Sequence, residues 1–316
     1  MSRSRETYEA AGVSLATAEG VVERLAAAVE RTRTAGVFGA FGGFAGLFAL
    51  DDRRLLAAST DSVGTKLILA RETGRLRHAG ADLAAHCIND VLTTGATPLF
   101  LLDYVAANRI DLDLVAELVE GAADVCAEAG CALLGGETAE LPGVYREHEL
   151  DFAGTCVGVV ERTSVIDGTG VEEGNVVLGF PSSGLHANGF SLVRRLIGED
   201  DFDPDLLLPP TRLYLHDVRA LRERADVRAL AHVTGGGIAA NLARVLPDGL
   251  GARIDVASWE RPRVFEWLSD HGVSEDEQRR VFNLGIGLCA VVPQEDAKAG
   301  LVIGRIERSL DGVVLE

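Results

Sequence analysis

Residues 98–140 read PLFLLDYVAANRIDLDLVAELVEGAADVCAEAGCALLGGETAE, and their pattern decides the fold class. Pro98 to Ala107 is an apolar run of strand length. From Asp111 to Ala129, apolar residues recur at Leu112, Val115, Leu118, Val119, Ala122 and Cys126, a helical stripe that Gly130 can terminate. Cys131 to Leu134 is apolar again. The spacing predicts a buried strand, a helix and a second buried strand, so this half of the chain alternates strands with helices.

The pattern extends upstream. Leu55 to Thr60 (LLAAST) is a short apolar run ending at Asp61, and Ala81 to Thr94 reads as another helix. Leu83, Cys87, Ile88 and Val91 form its apolar face. His86, Asn89, Asp90 and Thr93 share the opposite face, at spacing i, i+3, i+4, i+7. Spacing alone predicts that this polar stripe is solvated. Downstream, the Gly- and acid-rich Asp167 to Asn175 (DGTGVEEGN) breaks the composition and sets a domain boundary, giving domains 1–168 and 169–316. The second half restarts with Val176 to Phe180, with further strands expected at Ala252 to Val256 and Leu284 to Val292. The expected class is two-domain α+β.

Composition narrows the function. With 47% apolar residues and a length of 316, the chain can bury a large core. No run approaches 18 apolar residues, so no membrane span is expected. The start, MSRSRETYEAAG, lacks a signal peptide's apolar stretch, making the cytoplasm the default location. A net charge of −18 opposes a broad nucleic-acid surface, which needs clustered cations. Five scattered cysteines without CxxC read as buried, reduced thiols. Lys66 and Lys298 are the only lysines among 30 basic residues. Acid excess with scarce lysine suggests a high-salt cytoplasm. A GC-rich genome explains the Lys/Arg ratio but less of the charge.

Several motifs are missing. No Walker A loop, GxSxG elbow or HExxH pair occurs, and the single GxGxxA match, Gly285 to Ala290, continues into an apolar strand. Four glycine-containing clusters remain. Phe38 to Phe48 (FGAFGGFAGLF) carries Gly39, Gly42, Gly43 and Gly46, which either let backbone N–H groups approach a ligand or form a mobile apolar loop. Ser59 to Lys66 (STDSVGTK) puts a carboxylate at a strand end. Gly135 to Glu140 (GGETAE) offers Glu137 just after a strand, where open α/β sheets place ligands. His232 to Gly237 (HVTGGG) feeds a helix and is either a tight turn or an anion site. Asp61, Asp90 and Glu137 are suitable oxygen donors for Mg²⁺ bridging to a polyphosphate.

The order of these motifs resembles the phosphoribosylformylglycinamidine cyclo-ligase (AIR synthetase) family: Phe41-Gly-Gly-Phe44, Thr60-Asp-Ser-Val-Gly-Thr-Lys66, Cys87-Ile-Asn-Asp90, Gly135-Gly-Glu-Thr-Ala-Glu140 and Pro142-Gly143. The second half continues it with Ser182-Ser-Gly-Leu-His-Ala-Asn-Gly-Phe-Ser191, Pro210-Thr-Arg212, His232-Val-Thr-Gly-Gly-Gly237 and Phe282-Asn-Leu-Gly-Ile-Gly287. Ser62 replaces the family's usual Gly and Leu185 its usual Pro. The N-terminal basic stretch shrinks to Arg31-Thr-Arg33, and the segment before Pro209 is short.

The resemblance implies the two-domain fold shared with formylglycinamidine ribonucleotide synthetase and selenophosphate synthetase, with the N-terminal domain forming the β-barrel interface of a homodimer. Selenophosphate synthesis would want a reactive Cys in Phe38 to Phe48, which has none. The implied reaction closes the imidazole ring of aminoimidazole ribonucleotide from formylglycinamidine ribonucleotide and ATP. By the same resemblance, Asp61, Asp90 and Glu137 would hold Mg²⁺–ATP with Asn89 and Thr65 supporting, and Lys66 would offset phosphate charge. Gly39, Gly42, Gly43 and Gly46 would fold over the nucleotide, while Thr234, Gly235 and Gly236 are assigned to a phosphate. Ser183, His186, Asn188 and Ser191 would line the substrate side. His186 would either transfer a proton or only orient the substrate.

Overall fold

The computed structural model describes residues 6–198, 202–308, 310 and 312–316. Helix α1 (Leu15–Glu30) precedes strands β1 (Val37–Phe38), β2 (Gly46–Ala49) and β3 (Arg54–Ser62). Helices α2 (Lys66–Glu72) and α3 (Leu76–Leu92) follow, then β4 (Thr97–Ala107), α4 (Leu112–Ala129), β5 (Ala132–Glu140) and β6 (Leu150–Glu161). These strands form one six-stranded sheet in the order β1-β2-β3-β6-β4-β5. Only the β4–β5 pair, joined by the α4 crossover, is parallel.

Local chemistry sets the ends of α4. The Asp111 side chain accepts hydrogen bonds from the N–H groups of Asp113 and Leu114, and Gly130 closes the helix at φ 65°. Helices α3 and α4 cover one face of the sheet. They cross at Gly80 and Gly121, where a Cβ on either would overlap the other helix's backbone.

The other face is open. Leu99, Leu102 and Tyr104 of β4 and Leu134 of β5 are exposed, Leu134 by 63%. This corrects the expectation of two buried strands: β4 buries one face only, and β5 is an edge strand. Strand β5 also runs on through Gly135–Glu140 instead of ending before them. The Asp103 side chain lies where a Cβ on Gly136 would be, so a glycine inside the strand makes room for it.

The second half comprises β7 (Val176–Pro181), α5 (Phe190–Ile197), α6 (Pro204–Leu207), α7 (Leu215–Arg222), β8 (Ala229–His232), α8 (Gly237–Ala243), β9 (Gly251–Ile254), α9 (Val264–Asp270), α10 (Glu275–Val281), β10 (Ile286–Val292), β11 (Leu301–Glu307) and β12 (Val313–Leu315). Its sheet order is β12-β9-β11-β7-β10-β8. Period-2 alternation sends successive β10 residues into two cores. Leu288, Ala290 and Val292 pack with Val218 and Leu221 of α7. Cys289 and Val291 pack with residues of α5, α8, α9 and α10. Every residue of β8 and β10 is buried.

Candidate functional site

The polar stripe of α3 is buried, contrary to its expected solvation. Residues 209–214 and the end of β8 lie on it and supply partners more than 120 residues away in sequence. The Asn89 Nδ2 donates to the Arg212 carbonyl at 2.9 Å, and its Oδ1 accepts from the Tyr214 N–H at 3.0 Å. Asp90 Oδ1 lies 2.8 Å from His232 Nδ1, while Oδ2 accepts from the Ser59 hydroxyl at 2.9 Å. One turn before His86 on the same face of α3, Asp82 Oδ1 accepts from the Thr211 N–H at 2.8 Å and hydroxyl at 2.6 Å. Asp82 is also ion-paired with Lys66 at 2.8 Å, both side chains fully buried.

This seam corrects two expected nucleotide contacts. Lys66 Nζ donates to Asp82 and to the carbonyls of His186 and Pro209, each of these two at 2.8 Å, so no donor remains for a phosphate. Burial pulls its pKa down, opposed by Asp82. Asn89 is likewise committed to the 212–214 backbone. Both residues join the halves instead of facing a ligand.

Beside the seam, a polar cavity of about 250 Å³ is lined from both halves. Asp61 and Thr65 come from the ends of β3 and α2, His86 from α3, and Asn188 and Ser191 from the start of α5. The Thr65 and Ser191 hydroxyls are 3.1 Å apart. Asp61 Oδ2 lies 3.2 Å from His86 Nδ1, and its Oδ1 accepts from the Ser62 N–H. Burial works to raise the Asp61 carboxyl, but His86 and that N–H outweigh it and hold it below the usual carboxylate value. Burial works to lower His86, but Asp61 and the nearby Asp82 and Asp90 charges leave the ring above ordinary imidazole. His86 Nε2 and Asn188 Nδ2 are buried without protein partners.

A second cavity, about 1240 Å³, is lined by Gly42, Gly43 and Gly46, by Gly235 and Gly236, and by Arg244. Arg244 Nη2 donates to the Gly42 and Gly43 carbonyls at 3.1 and 3.0 Å, and its guanidinium stacks 4.0 Å from the Phe44 ring. It therefore fastens the glycine loop to α8. Burial lowers its pKa, and the Asp90 charge opposes this. Neighbouring Gly39 takes a hydrogen bond from Arg33 at 2.8 Å through its carbonyl, and Thr234 donates to Asn241 at 3.2 Å.

The structure does not bring together three other expected residues. Glu137 pairs with Tyr104 across the sheet and shares its open face, whereas Asp61 points to the helix face. Register runs Ser62–Ala153–Tyr104–Glu137, so three strand spacings, roughly 14 Å, separate the two carboxylates. One Mg²⁺ cannot join them within one chain. His186 has φ 60°, which turns its ring away from the small cavity and against Tyr214, over Gly287. Both ring nitrogens are buried and unpartnered. Burial, reinforced by His232, His86 and Lys66, drives its pKa well below the ordinary value. It stands behind the cavity wall, not on it. Ser183 donates to the Pro210 carbonyl at 2.5 Å and also lies off the wall.

Comparison with known proteins decides the family. AIR synthase related protein domains match residues 42–160 (N-terminal domain) and 172–306 (C-terminal domain). The phosphoribosylformylglycinamidine cyclo-ligase of Myxococcus xanthus (strain DK1622) is 46% identical over 94% of this chain and 91% of its own length. That of Sorangium cellulosum (strain So ce56) is 49% identical over 90% and 88%. The chain belongs to the phosphoribosylformylglycinamidine cyclo-ligase family. A solved structure described as AaThiL complexed with AMPPCP and TMP shares the fold, with TM-score 0.70 and 16% identity over 94% of this chain and 92% of that one. Cyclo-ligases are ligases, and each matched span covers most of one sheet, with β1 and β12 lying outside.

In this cyclo-ligase, sequence reasoning missed His86, Tyr8, His232 and Asp82. His86 had a usable signal: it shares a helix face with Asn89 and Asp90. Tyr8 lines the small cavity from the N-terminal segment, and nothing local in its sequence announces this. No group of three or more His, Cys, Asp or Glu that could hold an ion occurs among the described residues. Asp61, half exposed to the cavity, suits an ion that arrives with phosphates.

Proposed function

We propose that this chain uses ATP to close formylglycinamidine ribonucleotide to 5-aminoimidazole ribonucleotide in purine biosynthesis, releasing ADP and phosphate. The supporting observation is the meeting of Asp61, His86, Asn188 and Ser191, drawn from both halves, around one small polar cavity, with a larger glycine-lined cavity also formed by both halves. ATP occupies the large cavity under Gly42, Gly43 and Gly46, with Gly235 and Gly236 opposite. Asp61 would hold the Mg²⁺ that accompanies the nucleotide, which would supply neutralisation of phosphate charge.

The ribonucleotide's amide end sits against Asn188 and Ser191. Its formyl oxygen takes the γ-phosphoryl group, which converts a poor leaving group into phosphate. The nitrogen attached to the ribose then attacks the same carbon. Ring closure is intramolecular, so the protein mainly orients the chain and excludes water. His86, with one free ring nitrogen and Asp61 on the other, is placed to hold a proton released on cyclisation. His186, neutral and behind the wall, shapes the loop that carries Asn188. The same reading takes 1–168 and 169–316 as the domains and pairs the open face of the first sheet with a second copy. It puts the enzyme in the cytoplasm.

The test supplies ATP, Mg²⁺ and formylglycinamidine ribonucleotide, and follows ADP and aminoimidazole ribonucleotide together. Equal amounts of both are expected. ADP without ring closure would remove the reading. Asp61→Asn should lower kcat/KM at least tenfold, about 1.4 kcal/mol; unchanged kinetics would take Asp61 out of the site.

A further inference from the structure

We propose that Tyr8 is a substrate-contacting residue: the N-terminal segment Glu6–Val13 straps it across the small polar cavity, where its phenol donates a hydrogen bond to an oxygen of the bound ribonucleotide. The assignment rests on the reading above and adds a residue to it.

The segment opens the chain, yet it is fastened to the second half at three points. The Tyr8 N–H donates to Glu277 Oε1 at 2.7 Å. Arg195 donates to Glu6 Oε2 at 2.8 Å and to the Ala10 carbonyl at 2.9 Å. Its own turns stiffen it, with Ala11 N–H bonded to the Thr7 carbonyl at 3.2 Å and Val13 N–H to the Tyr8 carbonyl at 3.1 Å. Anchors before, at and after Tyr8 fix where its side chain goes. The ring packs on the second half's core and the side chain lines the cavity shared by Asp61, His86, Asn188 and Ser191.

The chemistry of that wall selects the ligand. Gly189 lines the same wall as Tyr8, and its backbone N–H can only donate to the phenol oxygen, so it does not use the phenolic proton. Gly189 is itself held, at φ 81° with the Phe282 ring where a side chain would be, which fixes the direction of that N–H. A phenol is protonated at neutral pH, and burial raises its pKa further, so it acts as a donor. Next door, Asn188 Nδ2 is a second buried donor without a protein partner. Two neighbouring donors suit an oxygen-rich ligand such as a formyl amide or a sugar phosphate. Tyr8 also lies outside residues 42–160 and 172–306, the spans matched by the domains common to the wider family.

A purely packing role would need the ring alone, so Tyr8→Phe separates the two. The wild type and Tyr8→Phe are compared by steady-state kinetics, by calorimetric titration with formylglycinamidine ribonucleotide without ATP, and by a thermal melt. The expected result is a KM and Kd for the ribonucleotide raised about tenfold, KM for ATP within twofold, and an unchanged Tm. A ribonucleotide KM within twofold of wild type overturns the assignment, as does a change confined to the KM for ATP. Wild-type turnover with an unaffected variant sinks Tyr8 alone, whereas a wild-type chain that neither binds nor turns over the ribonucleotide sinks the functional reading with it.

Discussion

The two sheets have six strands each and opposite relations to their surroundings. The second is complete: β8 and β10 are buried throughout, because α7 covers one face and α5, α8, α9 and α10 the other. The first is complete on its helix side only. Its open face presents Leu99, Leu102, Tyr104 and Leu134, and its helix α3 carries Asp82, Asn89 and Asp90, each of which takes a partner from the second half. The difference teaches where function lies. A self-sufficient half can act as a wall, while a half whose helix is completed by the other becomes the place where the two meet. The small cavity forms along that dependence.

The largest expected effect breaks the dependence itself. Lys66→Met leaves the Asp82 carboxylate buried with no cation, and should cost about 3–5 kcal/mol in denaturant unfolding. Lys66→Met/Asp82→Asn removes the stranded charge while keeping an acceptor for Thr211, and should recover at least half of the loss. Both tryptophans, Trp259 and Trp267, lie in the second half, so fluorescence follows that half while circular dichroism follows the whole. Loss below about 1 kcal/mol for Lys66→Met would mean that the seam is not what joins the halves.

A smaller effect sharpens the comparison between faces. Leu288→Ala, in the closed sheet, removes a fully buried side chain and should cost about 2–4 kcal/mol. Leu134→Asp, on the open face, should change unfolding by less than about 0.5 kcal/mol per chain, since the side chain is 63% exposed. It should instead lower the mass seen in sedimentation if that face pairs two copies. A mass unaltered by Leu134→Asp would remove the homodimer from the proposed function.

What the sequence made legible was local. The α4 stripe, its Asp111 start and its Gly130 stop are all decided within a few residues, and the two halves part between Glu161 and Val176, where the composition breaks. What it hid was non-local. The α3 stripe His86-Asn89-Asp90-Thr93 looks solvated because its partners, Arg212, Tyr214 and His232, lie more than 120 residues on. Lys66 looked like a phosphate ligand for the same reason. Glu137 was misplaced by strand parity: one register position puts it on the open face, opposite to Asp61. Asp61, Thr65, Asn188 and Ser191 did converge, because each sits at the end of an element.

The smallest expected effect concerns salt, and it asks whether both halves respond alike. Exposed ion pairs should weaken in salt: Arg77 with Glu120 and Asp124 in the first half, and Glu275 with Arg261 and Arg279 in the second. Glu275, held at about pH 2 chiefly by Arg261, stays ionised throughout the neutral range. Each such pair contributes only about 0–1 kcal/mol at an exposed site. Against them stands the net charge of −18, since 48 acidic residues face 30 basic ones and 18 carboxylates have no cation to match. Their mutual repulsion acts over many residues and is screened as the Debye length falls from about 10 Å to about 3 Å at molar salt. Repulsion should win, so Tm should rise by several degrees between about 0.1 M and 2 M KCl. Tryptophan fluorescence and circular dichroism should rise together, because acidic residues are spread along both halves. A fluorescence midpoint that rises alone would confine the effect to the second half. A flat or falling Tm would trace the scarcity of lysine to codon usage and not to salt.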